Sequence, residues 1–154
     1  LLRCLEAARR APSACNRQPW RFHVVRTPDT CSRLSDAAFG GAYRMNRFAR
    51  TAPVLVVVER LREIAAPALA GIVLRTRFSL LDVAIATEHF VLQATEEGLG
   101  TCWIGWFSHH NTKKVLQLGR TVRLEAIVAL GYPAAQAGAQ ETPRKQMDTI
   151  ASFY

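Results

Sequence analysis

The chain has 154 residues, 49% of them hydrophobic, and a formal net charge of +8. This is enough for one domain with a real core, spanning 1–154, and too little for two ordinary ones. The balance excludes a disordered or fibrous chain, and no apolar run approaches the ~18 residues of a membrane span. The excess charge lies in residues 1–62, where twelve arginines face Glu6, Asp29, Asp36 and Glu59. They are scattered singly, with no basic run and no interleaved aromatics. That pattern argues against nucleic acid as a partner and for a field that attracts phosphate-bearing small molecules.

Leu1 to Arg10 carries Leu1, Leu2, Leu5 and Ala8 on one face, which predicts a helix ended by Pro12. Trp20 to Arg26 alternates and stops at Thr27-Pro28, as a strand would. Asp29 to Ala38 is a short helix that Asp29 or Pro28 can start. Pro53 to Val58, PVLVVV, is a β-branched run expected to be a strand buried on both faces. Residues 60–77 carry no clear periodicity. Phe78 to Glu97 is the longest helical pattern; Phe78, Leu81, Ala84, Ile85 and Leu92 form a wide apolar stripe expected to face the core, and Gly98 suits the C′ position. A strand over Thr101–Phe107, a helix over Asn111–Leu118 ended by Gly119, and a buried strand over Leu124–Leu130 follow. Residues 134–154 form a polar tail that ends in Ile150, Phe153 and Tyr154. Strands alternating with helices predict a sheet covered on both faces.

The chain lacks a GxxxxGK[ST] loop, an HExxH pair and a GxSxG elbow. Gly98-Leu99-Gly100 follows a helix and enters a strand, the reverse of a dinucleotide-binding fingerprint. His109-His110 reads as a polar loop, and no Cys/His pair has zinc-ligand spacing, so no metal is expected. Cys4, Cys15, Cys31 and Cys102 show no CxxC spacing and are expected to be free thiols of a cytoplasmic protein. No signal peptide is visible. Two segments remain. Ala11–Trp20, APSACNRQPW, places Ser13, Asn16 and Gln18 between two prolines; flat amide groups with paired donors and acceptors suit the edge of a planar heterocycle. Gly98–Phe107, GLGTCWIGWF, exposes backbone at Gly100 and Gly105 beside Trp103 and Trp106. Both point to a bound ring rather than a side-chain nucleophile.

These two segments, together with ALGYP and PRKQMDTIASFY in the same order, resemble the nitroreductase family of FMN-dependent NAD(P)H oxidoreductases from about Leu5 to Tyr154. The resemblance implies an α+β fold, with a central, mostly antiparallel sheet flanked by helices, and a homodimer with two FMN sites at the subunit interface. Pro12, Ser13, Ala14 and Asn16, with Gln18, match the loop that lies against the flavin of the partner subunit. Ile104 and Gly105 match the strand whose backbone donates towards the reactive ring nitrogen, and Gly98, Leu99 and Gly100 match the turn leading into it. Arg144 and Lys145 match the basic residues that bind the FMN phosphate. Asn46 and Arg47 fall near a position that contacts FMN. NADH or NADPH would be the electron donor, and a nitroaromatic, a quinone or a second flavin the small-molecule acceptor. The same fold also accommodates reductive removal of a ring substituent, breakdown of the flavin itself, or an FMN-binding sensor or store. The family's arginine-rich RxSxR-type arm, upstream of the first helix, has no counterpart in this sequence. Residues 60–77 are short where many relatives carry a longer insertion.

Overall fold

The apolar run at 53–58 becomes the middle of a four-stranded sheet in the computed structural model, which describes residues 1–62, 76–134 and 142–154. Strands β1 (Trp20–Val25), β2 (Val54–Arg60), β3 (Gly100–Ile104) and β4 (Arg123–Gly131) lie in the order β1-β2-β4-β3, each antiparallel to its neighbours. The antiparallel sheet that the resemblance implies is therefore present. Leu55 to Glu59 are buried without a break, because β2 is paired on both sides and covered on both faces. Successive side chains point to opposite faces. Leu55 and Val57 enter one core layer with Leu34, Phe39, Phe107 and Ile127. Val56 and Val58 enter the other with Cys4, Phe90, Ala94 and Val128.

The second layer is roofed by α1 (Leu2–Arg9) and α3 (Phe78–Glu96), which pack on each other. The first is closed by α2 (Pro28–Ala38), a 3-10 segment over Gly41–Thr51, and α4 (His109–Val115). Pro28 occupies the first turn of α2, where a missing N–H costs nothing. Helix α3 ends in a Schellman motif: the Leu99 N–H donates to the Ala94 carbonyl at 2.8 Å and the Gly98 N–H to Thr95 at 3.0 Å. Gly98 takes φ +70°, as expected of a C′ glycine.

Three expectations change. The strand predicted over Thr101–Phe107 stops at Ile104, and Gly105 and Trp106 leave the sheet exposed. Helix α4 starts two residues before Asn111, because the Ser108 hydroxyl accepts the Asn111 N–H at 3.4 Å and caps it. It ends before Gly119, since Gln117 adopts φ +53° and itself closes a Schellman turn through Leu118 N–H to Lys113 carbonyl at 2.9 Å. The stripe assigned to the core is the outward one: Leu81, Ile85 and Leu92 of α3 are exposed, and Val83, Ala86, Phe90 and Ala94 face the sheet. This helix is apolar on both sides, so periodicity alone does not choose its buried face. Part of the stretch at 60–77 lies outside the described residues.

Strand pairing shifts between Val58 and Glu59: Val58 faces Ala126 and Glu59 faces Leu124, leaving Glu125 as the extra residue of a β-bulge. The bulge aims Glu125 at Arg60, with Nε to Oε1 2.6 Å, and Arg60 Nη1 donates on to the Ser79 hydroxyl at 3.3 Å. At the opposite end of the same pair, a Cβ on Gly131 would lie 2.8 Å from Cδ of Pro53. Gly131→Ala is therefore expected to cost about 1–3 kcal/mol of stability by overpacking against a rigid ring. Chemical denaturation reads this, and an unchanged midpoint would mean that Pro53 yields. The tail carries a short helix, α5 (Met147–Ile150), whose Met147 and Ile150 are exposed, as are Phe153 and Tyr154. No helix among the described residues is long and apolar enough to cross a membrane.

Candidate cofactor site

The loop between α1 and β1 is the most strained backbone of the described chain. Cys15, Asn16 and Gln18 all adopt left-handed φ, at +52°, +54° and +50°. Each such non-glycine residue costs on the order of 1–3 kcal/mol and persists only where its surroundings hold it. The holding groups are visible. The Ala14 N–H donates to Oδ1 of buried Asp82 on α3 at 3.0 Å. The Ser13 hydroxyl accepts the Gln18 N–H at 2.9 Å, and the Ser13 carbonyl accepts the Asn16 N–H at 2.9 Å. The Gln18 amide donates to Oδ1 of Asn16 at 3.0 Å. Asn16 and Gln18 stay exposed; the side-chain Nδ2 of Asn16 and Oε1 of Gln18 have no intramolecular partner among the described residues. The loop thus presents one donor and one acceptor, side by side, to whatever lies outside it. Pro12 is exposed beside them, while Ser13 and Ala14 are half-buried.

The second segment sits on the outer edge of the sheet. Among the described residues β3 pairs only with β4, so its other edge carries backbone groups that meet no described strand. Ile104 is buried and anchors the strand end in the core. Gly105 follows it into the open: a Cβ there would meet nothing within 4 Å. Trp106 is fixed from behind, its carbonyl accepting the Asn46 amide at 2.6 Å and its ring lying 5.3 Å from Tyr43. The 3-10 segment therefore buttresses the end of β3. A cleft of about 270 Å³ opens at the start of β3, between Phe48, Pro53, Gly100, Cys102 and Tyr132.

Strand directions aim the two segments toward the same end of the sheet without bringing them level. Trp20, Arg60 and Arg123 form the last row of the sheet, whereas Ile104 at the end of β3 stands level with Ile127, Val57 and His23, further in. The two segments also lie on opposite edges, three strand spacings or roughly 14 Å apart across the sheet and about 10 Å further apart along it. Gly98, Leu99 and Gly100 form the turn at the far end of β3. Arg144 and Lys145 are exposed and join neither segment; among the described residues Arg144 Nη1 donates to the carbonyls of Thr142 and Pro143, at 3.1 and 3.2 Å. Arg47 is likewise exposed.

Among the described residues no side chain near β3 is set up as a nucleophile. Burial pushes the Cys102 thiol up, so it stays protonated. All four cysteines are free thiols. His89 is occupied by the Ile85 carbonyl at 2.9 Å. His109 stacks on Phe107, with ring centroids 4.5 Å apart. Loss of water lowers its pKa, Lys113 adds to the lowering, and Glu125 opposes it. Among the described residues no group of three or more His, Cys, Asp or Glu side chains is placed to hold a metal ion. Asp82 and Tyr43 support the site, and neither stands out in the sequence as a site residue. A single acid among apolar helix positions is the available signal for Asp82, whereas Tyr43 offers none.

The family model of the nitroreductase family matches residues 1–132. The chain is 32% identical to an NADH dehydrogenase of Thermus thermophilus, over 86% of this chain and 75% of the relative. Among solved structures it resembles a nitroreductase family protein from Clostridium novyi NT at 30% identity and a TM-score of 0.71, covering 86% of this chain and 72% of that one. It also shares its fold with an FMN-dependent nitroreductase from Clostridium difficile R20291, at 24% identity and a TM-score of 0.64 over 97% of this chain and 80% of the other.

Proposed function

The chain belongs to the nitroreductase family, and from that premise we propose that it is an FMN-dependent NAD(P)H oxidoreductase, working as a homodimer, that reduces a nitroaromatic, a quinone or a second flavin. The observation that supports this reading is that the two candidate segments lie on opposite edges of the sheet, aimed toward the same end but not level along it. Within one protomer a single flat ring does not span them. A dimer that sets the loop of one protomer against β3 of the next would make them one site. The outward face of α3, with Leu81, Ile85 and Leu92 exposed, supplies an apolar surface for that contact.

The groups present fit FMN. The Asn16 and Gln18 amides offer a donor and an acceptor on a rigid loop, Gly105 leaves room for close approach, and Pro12, Ser13 and Ala14 complete the loop face. FMN, when bound, supplies the hydride and electron chemistry. The chain's part is binding and electrostatics. Backbone N–H groups at Ile104 and Gly105, on an open sheet edge, favour negative charge on a ring lying against them. Trp103 and Trp106 offer exposed aromatic surface beside that edge. Gly98, Leu99 and Gly100 fix where β3 begins, and Arg144 and Lys145 supply positive charge for the FMN phosphate, brought in by the tail.

The test is optical. The purified protein should be yellow and should bleach when NADH or NADPH is added without oxygen. A yellow protein that does not bleach would favour a sensor or store, and a colourless protein that takes up no FMN would overturn the proposal. Asn16→Ala is expected to weaken FMN binding about tenfold, the value of one hydrogen bond to a buried polar partner. Unchanged affinity would remove Asn16 from the site.

A further inference from the structure

A second candidate site lies next to the first and is not needed for flavin binding. Helix α4 and the turn after it enclose a cleft of about 880 Å³, within the range of small-molecule sites. Its lining includes His109, His110, Lys113, Lys114, Gln117 and Arg120, and no acid among the described residues. The basic groups are ordered by the helix. His109 and Lys113 are four residues apart and stack along one row, and His110 and Lys114 repeat the spacing in the next. Arg120 closes the opposite wall. Lys113 Nζ donates to the Arg120 carbonyl at 3.1 Å and ties that wall to the helix. Glu125, the carboxylate whose field acts on His109, is already engaged by Arg60 at 2.6 Å. Lys114 and Arg120 have no ion-pair partner among the described residues.

We propose that this cleft binds the phosphate monoester of NADPH and makes that donor preferred over NADH. The inference rests on the oxidoreductase reading above. The charge supports it: a phosphate monoester carries close to two negative charges near neutral pH, and Lys113, Lys114 and Arg120 are three cations with imidazole donors beside them. The position supports it as well. Gly105, where the ring is to lie, is followed four residues later by His109, and α4 carries the cationic rows away from that end of β3 at about 1.5 Å per residue. NADPH is an extended molecule with its nicotinamide at one end and its 2′-phosphate at the other. It can place the first at Gly105 and the second along α4.

The test compares the holoprotein with the double variant Lys114→Gln/Arg120→Gln, leaving the Lys113 tether intact. The ratio of kcat/KM for NADPH to that for NADH should fall about tenfold or more, as expected for losing charge-assisted hydrogen bonds. Adenosine 2′,5′-bisphosphate, titrated by calorimetry, should bind the parent and bind the variant about tenfold more weakly. A ratio that does not move overturns the proposal, including the case in which the variant loses only affinity for inorganic phosphate. A protein that holds no flavin overturns the oxidoreductase reading instead. The bisphosphate titration then still decides the cleft: loss of binding in the variant supports it, and no binding to the parent sinks it.

Discussion

Replacing Phe90 by alanine is expected to remove about 3–5 kcal/mol of stability. Its ring is fully buried on the sheet-facing side of α3, stacked on Phe22 with centroids 6.1 Å apart. It shares its layer with Val56, Val58, Ala94 and Val128, so it joins the longest helix to three of the four strands. Alanine would leave a cavity that neither the sheet nor α1 can close without breaking strand pairing. Since domains of this kind are stable by about 5–15 kcal/mol in total, the variant should sit near its unfolding threshold. Urea denaturation would show the midpoint falling with an unchanged slope. Phe90→Leu should lose much less. A loss below about 1 kcal/mol for the alanine variant would mean that α3 does not hold this layer together.

The pair Leu81→Lys and Leu92→Lys should act in the opposite manner, sparing the protomer and abolishing the assembly. Leu81 and Leu92 are 53% and 60% exposed on the outward face of α3, so more than half of each is already in solvent and their loss opens no cavity in the core. In Leu92→Lys the new ammonium would stand one helical turn from both Glu88 and Glu96 and add weak attractions along the helix. The expected change in protomer stability is within about 0.5 kcal/mol. At a dimer interface the same charges would be buried without partners, at a cost of several kcal/mol. The variant should run as a monomer at micromolar concentration and be purified without flavin, because each site is proposed to draw on both protomers. A parent that is already monomeric, or a variant that remains a yellow dimer, would overturn the interface.

Much of this is readable from residues. PVLVVV and LEAIVAL declare central strands because apolar residues fill both faces, and Gly98 declares the end of α3 because glycine takes a left-handed C′ at little cost. APSACNRQPW declares a polar, proline-bounded loop. What it does not declare is that Cys15, Asn16 and Gln18 are all left-handed, since that conformation is imposed by Asp82 and Ser13 from outside the three residues. The 3-10 segment at Gly41–Thr51 is silent for a similar reason. What fixes it lies outside it: its contacts run from Asn46 and Tyr43 to Trp106, some sixty residues away. The buried side of α3 is illegible because Leu81, Ile85 and Leu92 are as apolar as the residues that pack. Arg144 and Lys145 are marked by likeness alone; their surroundings in one protomer give them no role.

The bulge at Glu125 bears on how the chain avoids folding wrongly. A strand with one wet face is kept in phase by that face, because a slip of one residue would expose its apolar side chains. β2 and β4 have no such guard: both are apolar on both sides, and a slipped pairing would bury nearly as much. The information that forbids it is held by four residues at the strand ends. Glu125 must bulge to meet Arg60, and Gly131 alone lets Pro53 approach, so a shift would bring the Cβ of Leu130 or Tyr132 against that ring. Fidelity of pairing during folding is thus set outside the core, and errors there would show as slow or split refolding phases long before they showed as lost stability.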